Sequence, residues 1–293
     1  MKIKEIQAKR MLIYNKNPAG WFGVKYYFNI YRGCMHGCIY CDSRSECYGI
    51  DHFDKEIHVK VNAIQLLRKE LAKKRYKETI GFGATSDPYI PIEVKYELTK
   101  QALELIYEQR FPLFILTKSN LVLRDIDIIE RINKQNYACV AFTITTTDDE
   151  LAKVIEPNSP APSERLKALK ILSSLGIKTG VVIMPILPFL TDSIENIENI
   201  VFQAKESGAD FVYASFATTL RDRQRYFFYS QLDDSIVELY KKRYKDYYLC
   251  AVPNYKKLKG AFHKACKKHD ISSKMMTYEK LDLYSQLPFL NKR

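Results

Sequence analysis

The chain has 293 residues, of which 46% are hydrophobic, and a net charge of +12 at pH 7. This suits one large domain or two small ones around a substantial core, and it excludes a low-complexity or disordered chain. No stretch reaches the roughly 18 to 20 apolar residues that cross a bilayer, and the start Met1-Lys2-Ile3-Lys4-Glu5 lacks a signal peptide's apolar region, so a cytoplasmic protein without membrane attachment is expected.

Residues 1–22 read as an N-terminal extension. Residues 23–31 are aromatic and β-rich and predict a first strand. Ile64, Leu67 and Leu71 recur at helical spacing within 61–75. Thr79 to Ala84 predicts a short strand, 93–110 a helix, and the apolar run 113–117 (LFILT) another strand. A helix from Asp125 places Ile128, Ile129 and Ile132 on one face. The alternation continues with a strand at 138–144, a helix over 164–175 closed by Gly176, and a strand at 177–186. Asp192 or Ser193 then caps a helix bearing Ile194, Ile197, Val201 and Ala204, which Gly208 closes before a sixth strand at 210–216.

Apolar strands separated by amphipathic helices imply parallel βαβ units. Six units are too few to close an eight-stranded barrel. The expected fold is therefore α/β: a partial (β/α)6 TIM-type barrel over 23–216, with its active site at the carboxyl ends of the strands by analogy with the full barrel. Residues 217–293 lose the alternation and predict a small α-rich C-terminal extension packed on the barrel.

Seven cysteines are present, and Cys34, Cys38, Cys41 and Cys47 lie within fourteen residues. In a reducing compartment, clustered cysteines point to metal before disulfides. Cys34, Cys38 and Cys41 read C-x3-C-x2-C, with Gly33 and Gly37 allowing a tight loop. Three thiolates on a short loop hold a cubane iron–sulfur cluster while leaving one iron open, as a catalytic metal requires. The competing reading is structural zinc, with Cys47, His36 or His52 as fourth ligand.

The segment Tyr31-Arg32-Gly33-Cys34-Met35-His36-Gly37-Cys38-Ile39-Tyr40-Cys41 resembles the signature of the radical S-adenosylmethionine (SAM) superfamily, and in particular its spore photoproduct lyase-like (DNA repair photolyase-like) family. Gly83-Ala84-Thr85-Ser86-Asp87-Pro88-Tyr89 is similar to that family's second-strand motif, and Leu116-Thr117-Lys118-Ser119 to its third. Phe142 to Thr147, Glu156-Pro157 and Arg165 to Leu169 resemble the fourth-strand region, and Val182 to Pro188 the fifth. The resemblance covers roughly residues 25–216. It implies a [4Fe-4S] cluster on Cys34, Cys38 and Cys41, and reductive cleavage of SAM to a 5′-deoxyadenosyl radical that takes hydrogen from substrate. It also implies a flavodoxin- or ferredoxin-type electron donor. Transferred residue by residue, it makes Tyr40 and Lys118 catalytic. It makes Tyr40, Ser86, Asp87, Lys118, Thr143, Thr145, Glu156 and Arg165 cofactor-binding, with Lys118 pairing the SAM carboxylate.

From the residues alone, Lys118 follows an apolar strand and is either a ligand's partner or a solvated lysine. Glu156 and Arg165 could equally pair with each other. Two positions depart from the family. Thymine-dimer-reversing members carry a hydrogen-donating cysteine where Ala84 stands, and a tyrosine where Asp42 follows Cys41. The same reaction route is therefore not expected, and the quencher of a product radical would have to be Cys47, Cys139 or a tyrosine elsewhere.

Residues 221–229 mix arginines with aromatics, which suits nucleic-acid binding or a helix covering the barrel. His263, Cys266 and His269 share spacing for a weak metal site. Gln286-Leu287-Pro288-Phe289-Leu290 loosely resembles a peptide that docks on the bacterial replication clamp, against which stands a packed tail. The expected protein is a monomeric radical enzyme with nucleic acid among its candidate substrates. The alternative is a zinc-stabilised nucleic-acid-binding protein without catalysis.

Overall fold

Among the described residues, six parallel strands lie side by side in the order in which they occur in the chain. The computed structural model describes residues 1–278 except Trp21, His52, Asp54 and Ala84. The second-strand alanine, one of the zinc-ligand candidates and the 286–290 motif therefore lie outside the described residues.

The chain opens with β1 (Lys2–Ile6), β2 (Ile13–Tyr14), β3 (Tyr26–Tyr27), β4 (Tyr31–Arg32) and β5 (Glu56–Lys60). The alternating part follows: α1 (Ala63–Ala72), β6 (Ile80–Phe82), α2 (Glu93–Tyr96), α3 (Leu98–Glu108), β7 (Leu113–Thr117), α4 (Ile126–Gln135) and β8 (Ala138–Thr143). It continues through α5 (Asp149–Ile155), α6 (Pro162–Ser174), β9 (Lys178–Ile183), α7 (Ile194–Glu206) and β10 (Phe211–Ala214). The last described elements are β11 (Ala217–Thr219), α8 (Asp222–Ser230), α9 (Asp234–Tyr244), β12 (Leu249–Ala251) and α10 (Tyr255–Lys268).

The main sheet runs β10-β9-β8-β7-β6-β3-β2, and only β2 is antiparallel to its neighbour. Leu113 pairs with Ala138 and Thr143 with Val182, so the strand ends stay level. Every residue of β7 and β8 is buried, because helices cover one face and the barrel interior the other. Period-two alternation sorts the side chains. Phe114, Leu116, Cys139, Ala141 and Val182 fill the interior with Phe22, whereas Leu113, Ile115, Val140, Phe142 and Val181 meet the helices. Phe22 stacks on Phe114 at 4.7 Å between ring centroids, closing the interior.

Two local expectations need correction. The single strand at 23–31 is two short strands in different sheets: β3 joins the barrel, while β4 pairs antiparallel with β5. Parting the two lets the chain leave the barrel wall just before the cysteines. The helix at 93–110 breaks at Glu97, whose φ of +48° ends α2 and starts α3. Within residues 1–22, β1 pairs in parallel with β5 and β2 extends the main sheet.

Ser193 caps α7, its hydroxyl accepting from Asn196 N at 3.0 Å. Buried residues of α8 and α9, including Phe228 and Tyr240, pack in one cluster with Cys38, Ile39 and Tyr40. The C-terminal segment therefore covers the cysteine loop. No helix of the described residues is long and apolar enough to cross a membrane.

Gly83, just after β6, has φ +88°, and a Cβ there would lie 1.9 Å from Leu116 O. Backbone carbonyl cannot yield as a side-chain tip does. Gly83→Ala is expected to cost about 3 kcal/mol or more, read as a lower urea midpoint with an unchanged slope; an undiminished midpoint would refute this close approach.

Candidate active site

A cavity of about 440 Å³ opens at the carboxyl ends of the barrel strands. Cys34, Cys38 and Cys41 line one side, and Asp87, Lys118 and Thr143 stand at the ends of their strands. None of the three cysteines is in a disulfide.

The loop that carries them is held from several directions. Gly33 has φ +87°, and a Cβ there would come within 2.7 Å of Glu56 O. Its carbonyl accepts from Ser86 Oγ at 2.6 Å. His36 O accepts from Asn158 N, and Ile39 N donates to Ile155 O, both at 3.0 Å. Arg44 is buried, donates from Nε to Cys38 O at 3.1 Å and stacks 3.7 Å from the Phe227 ring centre.

Burial pushes up the Cys34 and Cys41 thiols and raises Cys38 to about 11. Opposing burial are the His36 amide beside Cys34, the Ser43 amide and hydroxyl beside Cys41, and the Lys118 ammonium beside Cys38 and Cys41. These groups favour the thiolate, the form that binds iron, and hydrogen bonds to sulfur also tune cluster potentials. Among the described residues no three His, Cys, Asp or Glu side chains gather around one metal-ion position. A cubane puts each thiolate on a different iron, so three cavity-facing cysteines, two of them beside backbone amides and two beside the Lys118 ammonium, fit a cluster. Cys47 is exposed. Cys266 is buried in the helix-side core and His269 rests on Phe202 at 5.4 Å, so the sequence-suggested metal group on α10 does not assemble.

Asp87 is the anchor of the opposite wall. Its Oδ1 accepts from Tyr89 N at 2.9 Å and Thr117 Oγ1 at 2.7 Å, and its Oδ2 from Lys118 N at 2.8 Å. His36 Nε2 stands 3.2 Å from Oδ2. Burial opposes the charge, but His36 and these donors outweigh it and hold Asp87 at about 2.

Lys118 lies with its ammonium 5.6 Å from the Tyr40 ring centre. Tyr40 donates its hydroxyl to Glu156, which also accepts from Thr145 Oγ1 at 3.3 Å. Glu156 Oε2 is 2.5 Å from Arg165 Nη2. Arg165 further donates to Pro160 O at 2.8 Å and Thr143 O at 2.9 Å. Burial resists ionisation of Glu156, yet Arg165 and Lys118 hold its carboxyl below the usual range. Of the residues named from sequence, Cys34, Cys38, Cys41, Tyr40, Ser86, Asp87, Lys118 and Thr143 line the cavity, whereas Thr145, Glu156 and Arg165 stand behind its wall.

Sequence reasoning did not find the far wall. Asp42, Tyr48, Thr219 and Tyr248 also line the cavity. Asp42 accepts from Tyr48 OH at 2.7 Å, Thr219 Oγ1 at 2.9 Å and Arg221 Nη2 at 2.7 and 2.8 Å. Arg221 in turn lies 4.6 Å from the Tyr248 ring centre. Asp42 is thus a donor-saturated carboxylate joining the cysteine loop to β11 and the start of α8. Its position next to Cys41 was the one available signal.

The radical SAM superfamily model matches residues 28–202. An uncharacterised protein of Methanocaldococcus jannaschii is 35% identical over 226 residues, covering 76% of this chain and 81% of the relative. An uncharacterised protein of Mycobacterium tuberculosis is 33% identical over 251 residues, covering 83% and 73%. With its cysteine loop and strand-end cavity, the chain belongs to the radical SAM superfamily. Its partial barrel is the fold of spore photoproduct lyase: the structure of that lyase complexed with dinucleoside spore photoproduct matches with a TM-score of 0.67 at 17% identity, over 91% of this chain and 79% of the lyase.

Because the folded Asp87 value is depressed, its contribution is present above the ordinary aspartate value of 3.8 and is lost as pH falls through about 2. Asp87→Asn is expected to destabilise the neutral-pH protein by about 1.5–3 kcal/mol. The gap from wild type should narrow as pH drops through that window in parallel denaturant titrations. A gap independent of pH would show that Asp87 is not held ionised.

Proposed function

We propose that this chain is a SAM-cleaving enzyme with a [4Fe-4S] cluster on Cys34, Cys38 and Cys41, and that its substrate is nucleic acid. The observation that carries the enzymatic reading is the meeting, in one cavity, of three free thiols with the Lys118 ammonium. When bound, the cluster supplies the electron that splits the SAM sulfonium into methionine and a 5′-deoxyadenosyl radical, which takes hydrogen from substrate.

The chain's own residues orient and shield. Lys118 makes no ion pair among the described residues, and it offers its charge to the SAM carboxylate. Ser86 ties the cysteine loop to the end of β6 through Gly33 O, and Asp87 fixes Lys118's backbone beside it. Thr143 and the Tyr40 ring shape the wall toward which Thr145, Glu156 and Arg165 bear from behind. The packed faces of α8 and α9 keep water from Cys38 and Tyr40. The electron must come from an external one-electron carrier of the flavodoxin or ferredoxin class.

The substrate assignment rests on the C-terminal segment. Between residues 217 and 278 there are fourteen lysines and arginines against six aspartates and glutamates, so this short part carries most of the net charge of +12. Tyr226, Tyr247, Tyr248 and Leu249 are exposed there, and Tyr248 also lines the cavity. Cations neutralise phosphates and exposed aromatic faces stack bases, which draws a strand toward the cavity mouth.

Anaerobic reconstitution with iron and sulfide is expected to give a brown protein that converts SAM to 5′-deoxyadenosine on reduction, whereas Cys38→Ala stays colourless and inactive. Lys118→Met should keep the colour and weaken SAM binding roughly ten- to hundredfold. A colourless wild type that takes up one equivalent of zinc would instead support the non-catalytic reading. Binding of a single-stranded oligonucleotide should weaken steeply with salt and fall by about fivefold or more in Tyr248→Ala, as expected for loss of one stacked base; salt-insensitive or absent binding would remove nucleic acid as substrate.

A further inference from the structure

Glu156 and Arg165 form an ion pair in which Glu156 is 1% exposed and Arg165 is not exposed at all. A pair so buried brings little net stability compared with apolar side chains of the same volume, because desolvation offsets its attraction. Neither residue lines the cavity. Their other contacts converge on it: Arg165 holds Thr143 O at the end of β8, and Glu156 receives the hydroxyl of Tyr40.

Tyr40 then meets Lys118. The ammonium sits 5.6 Å from the ring centre and has no carboxylate within ion-pair distance among the described residues. A lysine paired with a carboxylate would bring a ligand little free charge. One held over an aromatic face is oriented by the ring quadrupole and keeps its charge. A phenol that donates its proton to an anion has a more electron-rich ring, so the Glu156 bond strengthens that hold.

We infer that Glu156, braced by Arg165, is a positioning residue: through the Tyr40 ring it presents the Lys118 ammonium to an anionic group of the cofactor without neutralising it. The inference rests on the function proposed above and adds a three-residue relay, Glu156 to Tyr40 to Lys118. Direct contact of Glu156 or Arg165 with the cofactor is not part of it.

The test uses the reconstituted full chain and SAM itself. Tyr40→Phe keeps the ring and removes the tether; Glu156→Gln keeps an acceptor and removes the charge. Each is expected to raise the SAM dissociation constant by about three- to tenfold. Iron content and the SAM-free EPR spectrum of the reduced cluster should match wild type. In the Tyr40→Phe background, Glu156→Gln should add no further loss of SAM affinity, because both changes cut one chain. Should Glu156→Gln fail to fold with Arg165 left uncompensated, Glu156→Gln combined with Arg165→Met removes both charges and serves in its place. Wild-type affinity in the single variants, or losses that multiply in the double, would overturn the relay while leaving the SAM reading intact. A wild-type chain that neither takes up iron nor binds SAM would overturn the underlying function instead.

Discussion

The docking of the Cys34–Cys41 loop against chain segments far away in sequence is the constraint on which the site depends. Its carbonyls at Gly33, His36 and Cys38 accept from Ser86, Asn158 and Arg44, and its amide at Ile39 donates to Ile155. Two of these bonds join it to the end of α5 and the turn after it, and another to the loop that follows β6. A loop so held presents its three sulfurs to one cavity from the fold alone, and the entropy of arranging the ligands is met by folding rather than by metal binding.

Around that loop the charges are arranged unequally. Asp87 is buried but surrounded by donors, so its charge is spent on holding Lys118's backbone and the end of β7. Asp42 is likewise saturated, by Tyr48, Thr219 and Arg221. Glu156 is matched by Arg165. Lys118 lies over the Tyr40 ring, with no carboxylate at ion-pair distance among the described residues. The carboxylates therefore act as scaffold, and the cavity's available charge is positive, which suits an anionic ligand group beside the sulfurs.

The C-terminal segment serves two ends at once. Its buried aromatics, Phe228 and Tyr240 among them, pack on Cys38, Ile39 and Tyr40. Its outward residues are basic and aromatic, and Asp42 bolts Arg221 and Thr219 to the cysteine loop. Covering the loop and shaping the cavity mouth are thus consequences of the same packing, and a change in this segment would reach both the cysteines and the cavity mouth.

The sequence by itself determined the barrel strands and the three sulfurs. Runs such as Leu113–Thr117 and Ala138–Thr143 are buried on both faces and read as apolar without interruption, and helix periodicity and the Ser193 cap are local properties of consecutive residues. The C-x3-C-x2-C spacing is local as well, and Lys118 was visible because it directly follows an apolar strand. Only the tertiary structure decided that residues 23–31 divide between two sheets, since strand pairing depends on partners 26 to 54 residues away. The same holds for Glu156 and Arg165, whose place behind the wall instead of on it depends on how α6 packs against β8. It holds also for Asp42, whose partner Arg221 lies 179 residues onward. Periodicity reports which face a side chain shows, whereas partnership at such separations is set by the path of the whole chain.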